Sequence, residues 1–161
     1  MTRGPIPVLV ERTLLLTGDQ PDAGVIEQLV SFQRGGYRLL LVAPRPKRWR
    51  PTRKAVDRDL VVQQELHQLF TRAGAEIDGV YYLAAGLFAR RAAMARELDG
   101  IARRYQRNVG DITLIGTDSD LLEAYREVGG QAISISEGQA GNGQRVAALS
   151  EALNQLNERT G

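Results

Sequence analysis

Asp22 to Ala43 reads DAGVIEQLVSFQRGGYRLLLVA. Val25, Ile26, Leu29, Val30 and Phe32 recur at helical spacing, and Asp22 stands where a helix cap belongs. Gly35-Gly36 ends that helix. The run Arg38 to Ala43 follows, of strand length and almost wholly apolar, as a strand covered on both faces must be. Pro44 stops it. A buried strand straight after an amphipathic helix is half of a βαβ unit, and the remainder of the chain repeats the pattern.

Toward the N-terminus, Val8–Val10 and Leu14–Leu16 are β-favouring runs separated by Glu11-Arg12, and strand one is expected to close on Leu14–Leu16. Toward the C-terminus, a helix is expected over 55–73, then a strand at Gly79–Leu83 and a helix over 87–107. A fourth strand at 111–116, a helix over 119–128, a strand at 131–136 and a last helix over 144–157 complete the order. Strands alternating with helices imply right-handed crossovers and an α/β three-layer sandwich with a five-stranded, mainly parallel, Rossmann-like sheet. The expectation is one domain over 1–161 with no large cap domain. Ligands of such sheets bind beyond the carboxyl ends of the strands, so the residues just after each strand carry the functional information.

Composition narrows the chemistry. The 161 residues contain no cysteine and one histidine, His67, which excludes disulfides, thiolate nucleophiles and multi-histidine metal sites. His67 is expected to be exposed and inert. Twenty-one basic and 19 acidic residues leave a net charge of +2, so the placement of charge matters more than its sum. No apolar run approaches the roughly 18 residues a membrane span needs. Glu11 and Arg12 end the short run Ile6–Val10, a poor signal peptide. A soluble, cytoplasmic protein without membrane partners is expected.

Two strand-end turns bear carboxylates: Leu14-Leu15-Leu16-Thr17-Gly18-Asp19, and Leu114-Ile115-Gly116-Thr117-Asp118-Ser119-Asp120. Between them lie Gly36-Tyr37-Arg38-Leu39-Leu40-Leu41-Val42 and Ile77-Asp78-Gly79-Val80-Tyr81-Tyr82. In order and wording these phrases resemble the haloacid dehalogenase-like superfamily, nearest its heptose bisphosphate and histidinol phosphatases, over roughly Thr13 to Ser136. The resemblance implies a magnesium-dependent phosphomonoester hydrolase fold. In that family a strand-Asp-x-Asp-Gly motif supplies a nucleophile and then a general acid/base. Laid on this chain, Thr17 takes the nucleophile position, Asp19 the acid/base position, and Gln20 replaces the glycine. A threonine hydroxyl needs an adjacent base before it attacks anything.

The family's later motifs are also altered. Its phosphate-binding Ser/Thr after strand two is here Ala43, followed by Pro44, and neither side chain donates a hydrogen bond. Its lysine has no Lys-Pro counterpart; Arg90 and Arg91 lie in that stretch with a different geometry. The family's zinc loop is absent. The magnesium motif becomes Gly116-Thr117-Asp118-Ser119-Asp120, one residue short, so that Asp19, Asp118 and Asp120 would hold magnesium weakly. An equal reading makes Asp118 or Ser119 the cap of the next helix. The family comparison thus implies a pseudoenzyme, its phosphatase reaction lost or very weak.

One further feature stands apart from the motifs. Residues 45–54 hold Arg45, Lys47, Arg48, Arg50, Arg53 and Lys54 with no acidic residue, and include the only tryptophan, Trp49. Six like charges in a short stretch suit an anionic ligand. The reading is a phosphatase-fold protein that binds a small phosphorylated metabolite or other anion at the strand ends through Arg45, Lys47, Arg48, Arg50, Arg90 and Arg91. Two alternatives stay open on the sequence: an active magnesium-dependent hydrolase of a small phosphorylated metabolite, and a nucleic-acid-binding module using 45–54.

Overall fold

The computed structural model describes residues 5–18, 20–44, 53–83, 90–135 and 142–160. Its main sheet has five strands in the order β5-β4-β1-β6-β7. They are β1 (Ile6–Glu11), β4 (Tyr37–Pro44), β5 (Gly79–Leu83), β6 (Thr113–Gly116) and β7 (Gln131–Ser134), paired in parallel throughout. Five helices accompany them: α1 (Ala23–Arg34), α2 (Arg53–Arg72), α3 (Arg90–Arg104), α4 (Ser119–Glu127) and α5 (Asn142–Thr160). A two-stranded hairpin, β2 (Leu16–Thr17) with β3 (Gln20–Pro21), sits apart from the main sheet. The α/β three-layer architecture expected from the sequence is the one observed.

Alternation along each strand builds two cores. Val8, Val10, Leu39, Leu41 and Ile115 point to one layer, where Ile26 and Leu29 of α1, Leu66 and Phe70 of α2, and Leu149 and Leu153 of α5 cover them. Leu9, Leu40, Val42 and Leu114 point to the other, against Met94 and Leu98 of α3 and Leu122 and Tyr125 of α4. This two-sided burial explains why β1 and β4 read as continuous apolar runs.

The structure corrects the start of the chain. Strand one does not close on Leu14–Leu16. It ends at Glu11, because β4 and β6 pair with Ile6–Glu11 and Val8–Val10. Arg12–Leu15 then forms a 3₁₀ turn. Leu14 and Leu15 are both fully buried in the same core, which two successive strand residues, facing opposite ways, would not be. The Asp22 N–H donates to the Leu15 carbonyl and leads the chain into α1.

Tyr125 anchors α4. It is fully buried, and its hydroxyl lies 2.7 Å from the Ile112 carbonyl. Burial pushes its phenol well above the ordinary 10.0, so it remains a neutral donor. Gly130 passes directly against that ring, and a Cβ there would overlap it. Gly130→Ala is therefore expected to destabilise the fold by about 2 kcal/mol, the scale of an overpacked core, read as a lowered midpoint with unchanged slope in urea unfolding.

Candidate functional site

In an open parallel sheet the ligand crevice forms where the strand order reverses. Here the chain leaves β1 for β4 on one side and reaches β6 on the other, so the switch point is the carboxyl end of β1. The residue there is Glu11, 6% exposed.

The Glu11 carboxylate is completely coordinated. Its Oε1 accepts from the Thr13 hydroxyl at 2.7 Å and the Thr117 hydroxyl at 3.0 Å. Its Oε2 accepts from the backbone N–H of Thr117 at 2.9 Å and of Asp118 at 3.1 Å. A carboxylate offers about four lone-pair positions, and all are taken. The site requires Gly116, since a Cβ there would come 2.6 Å from Glu11 Oε2. The anion also lies at the N-terminus of α4, where the helix dipole favours negative charge. Asp118 caps that helix, its Oδ1 accepting from the Asp120 N–H at 3.0 Å. The capping reading of Asp118 holds.

Arg12 turns the other way. Its guanidinium bonds Asp59 Oδ1 at 2.5 Å, Gln63 Oε1 at 3.2 Å and the Tyr82 hydroxyl at 3.2 Å, and lies over the Tyr82 ring at 5.5 Å. Tyr82 donates its own hydroxyl proton to Asp59 Oδ2 at 2.5 Å. The 3₁₀ turn, α2 and β5 are thus joined by one cluster, with the Arg12 side chain 13% exposed. Burial alone would raise the Asp59 pKa. The hydrogen bonds from Arg12 and Tyr82, with the Arg12 charge, outweigh it and hold the carboxyl below the ordinary 3.8. Burial, then the bond to Asp59, pushes the Tyr82 phenol above 10.0. The Gln63 Nε2 is buried and meets no acceptor among the described residues.

Of the site residues expected from the sequence, Thr17, Asp118 and Asp120 are described with their side chains. Thr17 is exposed in β2, its hydroxyl donating to Asp22 Oδ2 at 3.2 Å, while Asp22 caps α1. It does not stand at the end of a main-sheet strand; the main-sheet switch point holds Glu11. Asp19 lies outside the described residues, as do Arg45, Lys47, Arg48 and Arg50. Arg90 and Arg91 open α3, and their side chains are likewise outside the description. Ala43 is buried in β4, and His67 is exposed on α2. Glu11, Arg12, Asp59 and Tyr82 were not singled out. The available signal was the charged pair Glu11-Arg12 directly after a buried apolar strand.

Magnesium prefers carboxylate oxygens. Among the described residues no group of three or more His, Cys, Asp or Glu side chains lies close enough to hold a metal ion. The lone pairs of Glu11 are already taken by its four donors, and Asp19, one of the three expected ligands, lies outside the described residues.

Two outcomes are expected. Glu11→Gln places an amide N–H₂ among four donors and should lower stability by about 2 kcal/mol, read by chemical denaturation with the fold checked by circular dichroism. The second concerns pH. Because the folded pKa of Asp59 lies below its unfolded value, its contribution is present above the ordinary 3.8 and lost as pH falls through the folded value. The stability gap between wild type and Asp59→Asn should therefore be constant near neutrality and close only below about pH 4, as followed by urea unfolding across pH.

No family model matches the sequence, and no curated protein matches it. Solved structures do match in fold. An uncharacterised protein from Corynebacterium glutamicum aligns at 14% identity and TM-score 0.56, covering 96% of each chain. A candidate haloacid dehalogenase-like phosphatase from Mesorhizobium loti aligns at 13% identity and TM-score 0.57, covering 94% of this chain and 88% of that one. D,D-heptose 1,7-bisphosphate phosphatase from Burkholderia thailandensis aligns at 15% identity and TM-score 0.51, covering 91% of this chain and 97% of that one. The chain therefore has the haloacid dehalogenase-like phosphatase fold.

Proposed function

We propose that this chain is a phosphatase-fold protein whose phosphoryl-transfer chemistry is lost or very weak, and that it binds an anion at the carboxyl rim of its sheet. The observation that carries this reading is the fully coordinated Glu11 carboxylate. Attack on phosphorus needs a carboxylate oxygen with a lone pair open to the substrate, and Glu11 has committed all of its own. The backbone N–H groups of Thr117 and Asp118, which would suit a phosphate oxygen, are already bonded to Glu11. Two residues on, Thr13 donates to Glu11, and its hydroxyl is too weak an acid for proton transfer near neutrality. Arg12, the next residue in the chain, is held by Asp59. The switch point thus carries a built-in anion in place of a bound one.

The binding half of the proposal rests on chain order. Arg45, Lys47, Arg48 and Arg50 come directly after β4 in the chain, and Arg90 and Arg91 come after β5 at the start of α3. Their charge suits a small phosphorylated metabolite or a comparable anion. No helix among the described residues is long and apolar enough to cross a membrane. The cysteine-free composition suits a cytoplasmic protein.

The test is phosphate release from a panel of sugar and amino-alcohol phosphates with magnesium, alongside calorimetric titration of the same compounds. The expected result is no release above that of Glu11→Gln, with binding that weakens when Arg45, Lys47, Arg48 and Arg50 become alanine. Magnesium-dependent release abolished by Glu11→Gln or Asp118→Asn would restore the hydrolase reading. Binding to RNA or DNA that falls steeply with salt and depends on the same four cations would favour the nucleic-acid reading.

A further inference from the structure

β5 is an edge strand, and among the described residues it pairs with β4 alone. Edge strands are ordinarily guarded by a lysine, a proline, a bulge or short length, because their outer N–H and C=O groups template pairing with another chain. Gly79-Val80-Tyr81-Tyr82-Leu83 has five residues, no charge and no proline, and is rich in β-favouring types. The opposite edge, β7, is shorter and carries Gln131 and Ser134 at its ends. The two edges are not equally protected.

A groove of about 280 Å³ runs between β5 and α3, lined by Tyr81, Tyr82 and Leu83 on one side and by Glu97, Gly100, Ile101 and Arg104 on the other. Gly100 lies inside α3, where glycine costs about 1 kcal/mol relative to alanine. Its conformation is ordinary, and a Cβ there would meet nothing within 4 Å among the described residues. The packing of the described residues therefore gives no reason for glycine. A close approach from outside the chain would.

The charges beside Gly100 identify the occupant. Glu97 lies three residues before it and Arg104 four after, so at the helical rise they stand about 4.5 and 6 Å along the axis on either side. Place a two-fold axis beside Gly100, perpendicular to the sheet. The α3 helices of two copies then run antiparallel, and Glu97 of each faces Arg104 of the other. The same axis pairs β5 with β5 antiparallel. An isologous interface demands this self-complementarity, in which one patch fits its own copy.

We infer that the β5 edge and the α3 face at Gly100 form a homodimer interface, joining two five-stranded sheets into one of ten strands. The occupant of the groove is a second copy of this chain. Strand addition supplies the backbone hydrogen bonds, and the Glu97–Arg104 pairs set the register.

The test uses the full chain in sedimentation equilibrium. Wild type is expected to dimerise reversibly. Gly100→Lys fills the groove from a position with room for a side chain, and should weaken the dimer at least tenfold while circular dichroism and the melting curve stay near wild type. Glu97→Arg and Arg104→Glu should each weaken it, by setting like charges face to face. The double variant Glu97→Arg with Arg104→Glu should regain the wild-type dissociation constant, which a merely structural role for either residue would not produce. A wild type that stays monomeric at millimolar concentration overturns the inference, whether the edge then serves another protein or none. So does a dimer indifferent to Gly100→Lys and to the charge exchange.

Discussion

A carboxylate removed from water is costly unless its oxygens find donors, and the end of β1 presents that problem at its most acute. Glu11 is almost fully buried between two strands, yet it remains a suitable residue because Thr13, Thr117 and Asp118 deliver four hydrogen bonds to it. Much else follows from that coordination. Gly116 must lack a side chain, the β6–α4 turn must present its N–H groups inward, and Asp118 must cap α4 so that those groups stay aligned. The strand, the turn and the helix form one electrostatic unit. Loss of any donor leaves part of a buried charge unpaired, which costs more than the bond itself contributed.

The same unit occupies the switch point of the sheet. Parallel α/β sheets place their reactive groups at the switch point because strand ends and helix N-termini converge there. In this chain the convergence is intact, but its donors are consumed by a side chain of the protein. The fold is that of the matched structures, and the carboxylate at its switch point braces the β6–α4 turn. Arg12, the next residue, contributes to a second brace. With Asp59, Gln63 and Tyr82 it fastens α2 to the sheet on the opposite side of the switch point. A cation so neutralised offers little to an incoming anion.

The early part of the chain shows how a reading of residues goes astray. Leu14 to Leu16 followed by Thr17-Gly18-Asp19 has the wording of a strand and its reactive turn. The apolar character of Leu14 and Leu15 is real, but a 3₁₀ turn satisfies it by burying both in one core. Thr17 then falls in a small hairpin and bonds the cap of α1. Where hydrophobic runs lie close together, periodicity cannot say which is hydrogen-bonded in the sheet, since that depends on strands 30 and 100 residues away.

The sequence by itself determined the layering: apolar runs of strand length, helices with one apolar face, and glycines at their ends. These are local properties, because burying one face of a helix or both faces of a strand demands a pattern within a dozen residues. It also determined the exclusions, since a chain with no cysteine and one histidine has few chemistries open to it. Only the tertiary structure decided which carboxylate occupies the switch point and whether its lone pairs are available. That is a matter of donors brought from more than 100 residues away, as Thr117 and Asp118 are brought to Glu11. Hydrogen-bond saturation belongs to the assembled site and has no signature in the spacing of the residues that produce it.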